Sequence, residues 1–564
     1  MKKSKSTSTI IILGVIAVLV FGIIFGAIML TQNAGKKPGV VSSEKATNKL
    51  EKLYNKITIN VIKPVKGTAD LTPSDISTSL PEISKYPPQV DSTTTDFIEI
   101  FSSTEKAGTG TDAWLVDMAN EFNKSNPTVN GASVSVRIRG IASGLGMDYI
   151  SSGKYVPDVF SPSNELWGKM LSAQGIKVTL AESRLTGNVA GILFSKAKSS
   201  ELKNKYGSIN LRNVTDAVTN DQLAMGYTNP LASSAGLNFL VSTLYTFDSK
   251  DPLSDNAREA FENFQNNIPF VAYTTLQMRE SAKSGALDGF ILEYQSYFNL
   301  PDIKSAYDFT PYGVRHDSPV YEIGELTELK KEILKQFIDF CKTEKSQQLA
   351  SNYGFNNLDD YKWELGEIKD DVILPAQKLW REKKSGSKDI AAVFVADISG
   401  SMEGDPMLRL KESLKKGSQN IANNNYIGLV TFSDDVNIVL PLAKFDINQR
   451  ALLAGAVDNM QAGGATAMFD GIIVGTKMLT DFMEQNSNIK PLLFVLTDGE
   501  TNRGHNLNDI RGIMEDLKIP IYTIGYNAEI SGLQAVSAIN EAASINADTE
   551  DVVYQLDSFF KAQM

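Results

Sequence analysis

Residues 393–402 read VFVADISGSM, an apolar run that reaches Asp397, with Ser399 and Ser401 following at alternate positions. One carboxylate and two hydroxyls spaced D-x-S-x-S along a loop can converge on a single hard cation, which takes oxygen ligands. Two further segments follow in order: Thr466 within GGATAMFDG, and Asp498 within FVLTDGE at the end of a second apolar run. Apolar runs of this length predict strands of a buried parallel sheet. All three segments then lie outside the carboxyl ends of those strands, where open α/β sheets bind ligands. Gly463 and Gly464 let the backbone beside Thr466 come close to an ion. Ser and Thr hydroxyls are neutral, so such a site holds little formal charge. A magnesium ion with an open position there is electrophilic and suits an incoming carboxylate. The plainer alternative is a serine-rich loop whose Asp397 caps the next helix. Three pieces in order, two of them at strand ends, favour the ion site.

From about residue 387 to the C-terminus, these segments resemble a von Willebrand factor type A (vWA) domain with a metal-ion-dependent adhesion site. The resemblance implies that Ser399, Ser401 and Thr466 contact the ion by hydroxyl. Asp397 and Asp498 are implied to act directly or through water. It also implies a divalent cation, Mg2+ first and Mn2+ or Ca2+ as alternatives, and a partner protein that offers an acidic side chain. Strands are expected at 390–396, 427–432, 436–440, 492–496, 519–524 and 552–554. The tight SDD turn before 436–440 predicts an antiparallel edge strand in a doubly wound, mostly parallel sheet.

Catalysis finds little support. The chain has no H-E-x-x-H, only two His (His316 and His505), and one Cys, Cys341. Neither His sits in a nucleophile-type motif, and His505 reads as a loop residue near the sheet edge. With 55 basic and 66 acidic residues the net charge is −11, which argues against a nucleic-acid binder, since that would show a basic stripe. A length of 564 residues predicts several domains.

The basic start MKKSKSTST (residues 1–9) precedes an uncharged run at residues 10–30. At 1.5 Å per residue that run is about 30 Å long as a helix, enough for one bilayer crossing. The flanking Lys residues favour the N-terminus inside. The run is longer than the apolar core of a signal peptide and is followed by TQNAGKK, which offers no cleavage site. An uncleaved anchor with the domains outside is therefore expected. A lone Cys in an exported chain fits a Gram-positive-type bacterial surface. Residues 31–95 include TPSDISTSLPEISKYPPQVDSTTTD, rich in Pro, Ser and Thr. They read as a stalk, or as an extended strap on the next domain.

Residues 96–376 alternate strand and helix patterns, predicting parallel sheets covered by helices. The phrase ELKKEILKQFIDFCKTEKSQQLASNYGF resembles the C-terminal helices of bacterial extracellular solute-binding proteins, which are two-lobed. Phe337, Phe340 and Cys341 fall on one apolar helical face there. GYTNPLASSAGLNFL resembles the segment that crosses between the lobes. Ser102, Ser103, Thr104, Ser233, Ser234 and Tyr294 are placed to line a small-ligand cleft, where hydroxyls and helix N-termini favour an anion. Ordinary helix capping is the alternative use of the same hydroxyls. A helix carrying Trp380 and a linker over 377–387 lead into a vWA domain at 388–564.

The resulting expectation is a membrane-anchored extracellular protein that binds a partner through the cation, paired with a receptor-like domain. The alternative is a solute-binding receptor of a transport system with the vWA domain as a docking module. A vWA-type assembly factor or channel subunit is a third.

Overall fold

A computed structural model describes residues 38–69, 77, 80–268, 271–272, 278, 287–499, 501–526, 544–547, 560 and 564. The C-terminal module is built on the strand Asp389–Asp397, of which all but the first residue is buried. Its residues alternate between two cores. Ala391, Val393 and Val395 pack on one face, while Ala392, Phe394 and Ala396 pack on the other. That two-residue period with apolar side chains both ways requires helices on both faces. Tyr426–Phe432 and Ile489–Thr497 pair with it in parallel, and Ile521–Tyr526 and Ser544–Ala547 extend the sheet. The expected strand at 552–554 lies outside the described residues.

Two expectations change here. The strand Val436–Lys444 is antiparallel to its neighbour, as expected, but it is not the edge. Ile59–Val61, from the segment read as a stalk, pairs beyond it with Ile59 opposite Val436. The helix Pro38–Tyr54 precedes that strand. It buries Ala46 and Leu50 in the same core as Val393 and Val495 and pairs Glu51 with Lys477 at 3.0 Å. Residues 62–67 then cross the helix Ile447–Asp458, where Gly67 N donates to Ala451 O at 2.8 Å. A Cβ on Gly455 would stand 1.8 Å from the Val65 carbonyl, so glycine is what lets the chain pass. The physical reason is hydrophobic: a short apolar stripe on a Lys/Glu-rich helix has a core to enter.

From residue 80 the segment is a strap on the middle module. Tyr149 donates its hydroxyl to Pro81 O at 2.7 Å, and Val90 bridges to Ile138. The middle module is thus inserted between two segments of one sheet, Ile59–Val61 and Asp389–Asp397. The run at residues 10–30 lies outside the described residues, and no described helix is long and apolar enough to cross a membrane.

The middle module holds two sheets, one of six strands centred on Asp96–Ser102 and one of five centred on Gly289–Glu293. Asp96–Ser102 is parallel to Ala132–Gly140 and Val159–Ser161, and Gly289–Glu293 is parallel to Met225–Thr228. The helix Glu328–Cys341 buries Phe337 and Cys341, and burial pushes the Cys341 thiol up. The helix Asp370–Lys383 packs Leu379 and Trp380 into this module, with Trp380 Nε1 donating to Tyr227 OH at 2.8 Å. The span between modules therefore starts after Lys383, seven residues later than position 377.

Candidate functional site

The carboxyl ends of Asp389–Asp397 and Ile489–Thr497 bring Asp397 and Asp498 to one sheet edge. Ser399 Oγ and Ser401 Oγ stand 3.1 Å apart, and Ser401 Oγ donates to Asp498 Oδ1 at 2.8 Å. Ser399 N donates to Asp397 Oδ1 at 2.7 Å, and Thr497 Oγ1 donates to Asp397 Oδ2. Thr497 is a site residue that the sequence reading did not single out. Its place directly before Asp498 was the available signal.

The third segment is joined through its backbone. Gly400 N donates to Gly464 O at 3.0 Å, and Gly463 N donates to Ile398 O at 2.8 Å. Gly464 has φ +86°, the left-handed region that glycine enters freely. Thr466 N is held by Asn502 Oδ1 at 2.8 Å, and Thr501 Oγ1 donates to Thr466 O at 2.9 Å. Asp434 steadies the same loop, accepting from Ala465 N at 3.3 Å and pairing with Arg503 at 3.2 Å. His505, expected as a plain loop residue, is tied to Asp470 at 2.6 Å.

Burial raises Asp397 to about 6, with Asp498 adding to the shift, against hydrogen bonds from Thr497 and Ser399 that lower it. Asp498 is also raised, chiefly by burial. Neither carboxylate has a basic partner among the described residues. Two carboxylates with uncompensated charge beside three hydroxyls form an all-oxygen donor set suited to a hard cation. The residues present therefore fit a divalent ion.

In the middle module a cavity of about 260 Å³ lies at the carboxyl ends of both sheets. Ser103, Thr104, Ser233 and Ser234 line it as expected. Ser102 and Tyr294 do not. Ser102 is fully buried in the strand Asp96–Ser102. Tyr294 turns into an aromatic cluster, edge-on to Phe309 at 5.1 Å and beside Tyr297 at 5.7 Å, the edge-to-face packing that aromatic rings favour. The sequence reading missed Glu105, Ser143, Ser163, Glu293 and Ser296, which also line the cavity. Gly144 sits where a Cβ would lie 2.5 Å from Leu231 O, so the absent side chain lets the two lobes meet.

Comparison with known proteins separates the same two modules. Residues 392–563 match the family model "von Willebrand factor type A domain", and residues 106–356 match "Bacterial extracellular solute-binding protein". Inter-alpha-trypsin inhibitor heavy chain H3 of Bos taurus is 27% identical over 188 residues, covering 30% of this chain and 20% of its own. The match thus spans about a fifth of that relative's length. Among solved structures, a von Willebrand factor type A protein from Catenulispora acidiphila is 19% identical, covering 31% of this chain and 43% of its own at TM-score 0.29. Iron-bound HitA from Pseudomonas aeruginosa is 14% identical, covering 51% and 99% at TM-score 0.36.

Proposed function

We propose that this chain, which carries a solute-binding-protein domain and a C-terminal vWA domain, binds a protein partner through a divalent cation and is not an enzyme. The observation that carries this is the hydroxyl chain from Ser399 through Ser401 to Asp498, beside the buried carboxylate of Asp397. Ser399, Ser401 and Thr466 would hold the ion by hydroxyl, with Asp397 and Asp498 acting directly or through water. Magnesium suits this set first, with manganese or calcium as alternatives. When bound, the ion supplies an electrophilic position for an acidic side chain of the partner. Thr497 and the Ser399 amide orient the Asp397 carboxylate. Asn502 and Thr501 fix the backbone of Thr466.

The uncharged run at residues 10–30 and its Lys-rich flanks support a single-pass anchor with the N-terminus inside. Both modules then stand outside a cell of Gram-positive type. A second reading is favoured by the cleft: the middle domain is a receptor that binds a small solute for a transport system, and the vWA domain docks it.

Partner binding tests the first reading. The full chain, immobilised in Mg2+, is expected to retain a surface protein that EDTA releases and that Asp397→Ala fails to retain. Retention that is equal in EDTA and in the variant contradicts it.

A further inference from the structure

The cleft of the middle domain combines a built anion seat with fixed negative charge and, among the described residues, no lining cation. The seat comes from two helices of opposite lobes, Ser143–Ser152 and Ser234–Phe247, whose N-termini face the cavity. The first amides of a helix have no acceptor within it. Gly144 N is taken by Ala232 O at 3.3 Å and Gly236 N by Ser233 Oγ at 3.3 Å, and the amides of Ser143, Leu145, Ser234 and Ala235 have no acceptor among the described residues. Ser163 lines the same cavity at 3% exposure, and its hydroxyl has no partner among the described residues. That hydroxyl is not sealed off from the cavity, so it stays available to a ligand there.

The opposite charge is equally built in. Glu293 reaches the cavity from the end of its strand. Asn188 Nδ2 donates to Glu293 Oε2 at 2.8 Å, and His316 Nδ1 lies 2.9 Å from Glu293 Oε1. His316 Nε2 lies 3.1 Å from Asn164 Nδ2 and 3.0 Å from Asn238 Nδ2. Both amides are oriented by other bonds. Asn164 Oδ1 accepts from Leu166 N, and Asn238 Oδ1 accepts from Val314 N. Nε2 is therefore an acceptor and Nδ1 the donor, so Glu293 receives a hydrogen bond without a neutralising cation. Glu105 is the second lining carboxylate. The fully buried Lys106 pairs with Glu105 Oε1 at 3.7 Å and also donates to Ser103 Oγ and to the carbonyls of Ser161 and Pro162, while Ser103 Oγ donates to Glu105 Oε1. One lysine behind the wall balances at most one of the two carboxylates.

We infer that the cleft takes a small zwitterion, with its carboxylate at the paired helix N-termini and Ser163, and its ammonium at Glu293 and Glu105. The inference rests on the reading that this cleft is a solute site. A tetrahedral oxyanion would meet the same amides but also an uncompensated carboxylate. A simple cation would leave the amides and Ser163 unpaired.

The test is a thermal-shift and calorimetric screen of the full chain in mild detergent. The panel holds the common amino acids with glycine betaine, then sulfate, phosphate and molybdate, and then putrescine. Stabilisation by one or more zwitterions is expected, with binding at least tenfold weaker in Glu293→Gln and in Glu105→Gln. Using both variants guards against a local collapse of the His316 network. Binding of an oxyanion or of putrescine, with no zwitterion active, overturns the zwitterion and leaves the solute site standing. A zwitterion bound equally by wild type and both variants overturns the assigned contacts. Silence across the whole panel overturns the solute site as well.

Discussion

Ser401 Oγ donates to Asp498 Oδ1 at 2.8 Å, joining two loops that lie 97 residues apart in sequence. Both loops leave parallel strands that flank one another, so the sheet itself sets the distance between hydroxyl and carboxylate. The bond also explains why Ser401 sits where a cation would be shared. Its oxygen faces the other hydroxyl of the loop and the second carboxylate together.

Ser401→Ala removes one ligand while leaving the strands untouched. Its melting temperature in EDTA is expected to stay within a few degrees of wild type, as for most surface substitutions. Affinity for Mg2+ by calorimetry should fall at least about tenfold, or about 1.4 kcal/mol. Unchanged affinity would remove Ser401 from the ligand set.

Docking of the helix Pro38–Tyr54 on the C-terminal module makes a separate prediction. Leu50 is 1% exposed and belongs to the core that includes Val393 and Ile473. Leu50→Ala should destabilise that module by about 2–4 kcal/mol in denaturant unfolding, the range for truncating a buried leucine. Lys52→Ala, on the exposed side of the same helix, should change it by less than about 0.5 kcal/mol. Equal effects of the two would return the segment to a stalk.

The junction between modules carries a strained charge. Lys490 is half-buried beside Lys388, and burial holds its ammonium at about 8, with the Lys388 charge adding to the effect. In the unfolded chain the group titrates near 10.5. Between these values the unfolded chain binds more protons, so stability from this group rises with pH across that window. Below about 8 both states are protonated and the cost of burying the charge is fully present. Lys490→Met should therefore unfold later in urea at pH 7, by about 1–3 kcal/mol. The advantage should shrink as the pH approaches about 10. A gap that is flat with pH would assign it to packing alone.

What could be read from the sequence follows the range of the interactions involved. Asp397, Ser399, Ser401 and Asp498 were legible because their positions depend on local features, an apolar run and the loop after it. Thr466 was singled out by order and by its two glycines, and the structure joins its segment to the first loop through the backbone of Gly463 and Gly464. The role of Ile59–Val61 was not, since three residues of strand pattern do not say which edge they will extend. Its partner lies near Val436, in a strand that looks like an edge until the added strand arrives. In the cleft, hydroxyls before helices were found at Ser103, Thr104, Ser233 and Ser234. Ser102 was misplaced because the strand continues through it, and Tyr294 because its partners Tyr297 and Phe309 form a tertiary cluster. Glu105 and Glu293 passed as ordinary charged residues, since burial of a carboxylate leaves no mark in composition.

The most direct test is a thermal melt of the full chain in EDTA and in excess Mg2+, Mn2+ or Ca2+, beside Asp397→Ala. At a free ion concentration one hundred times Kd, linkage adds about 2.7 kcal/mol to the folded state. A clear rise in melting temperature for the wild type, absent in Asp397→Ala, is predicted. Identical melts with and without every ion, or a rise that persists in the variant, would contradict a cation held at Asp397.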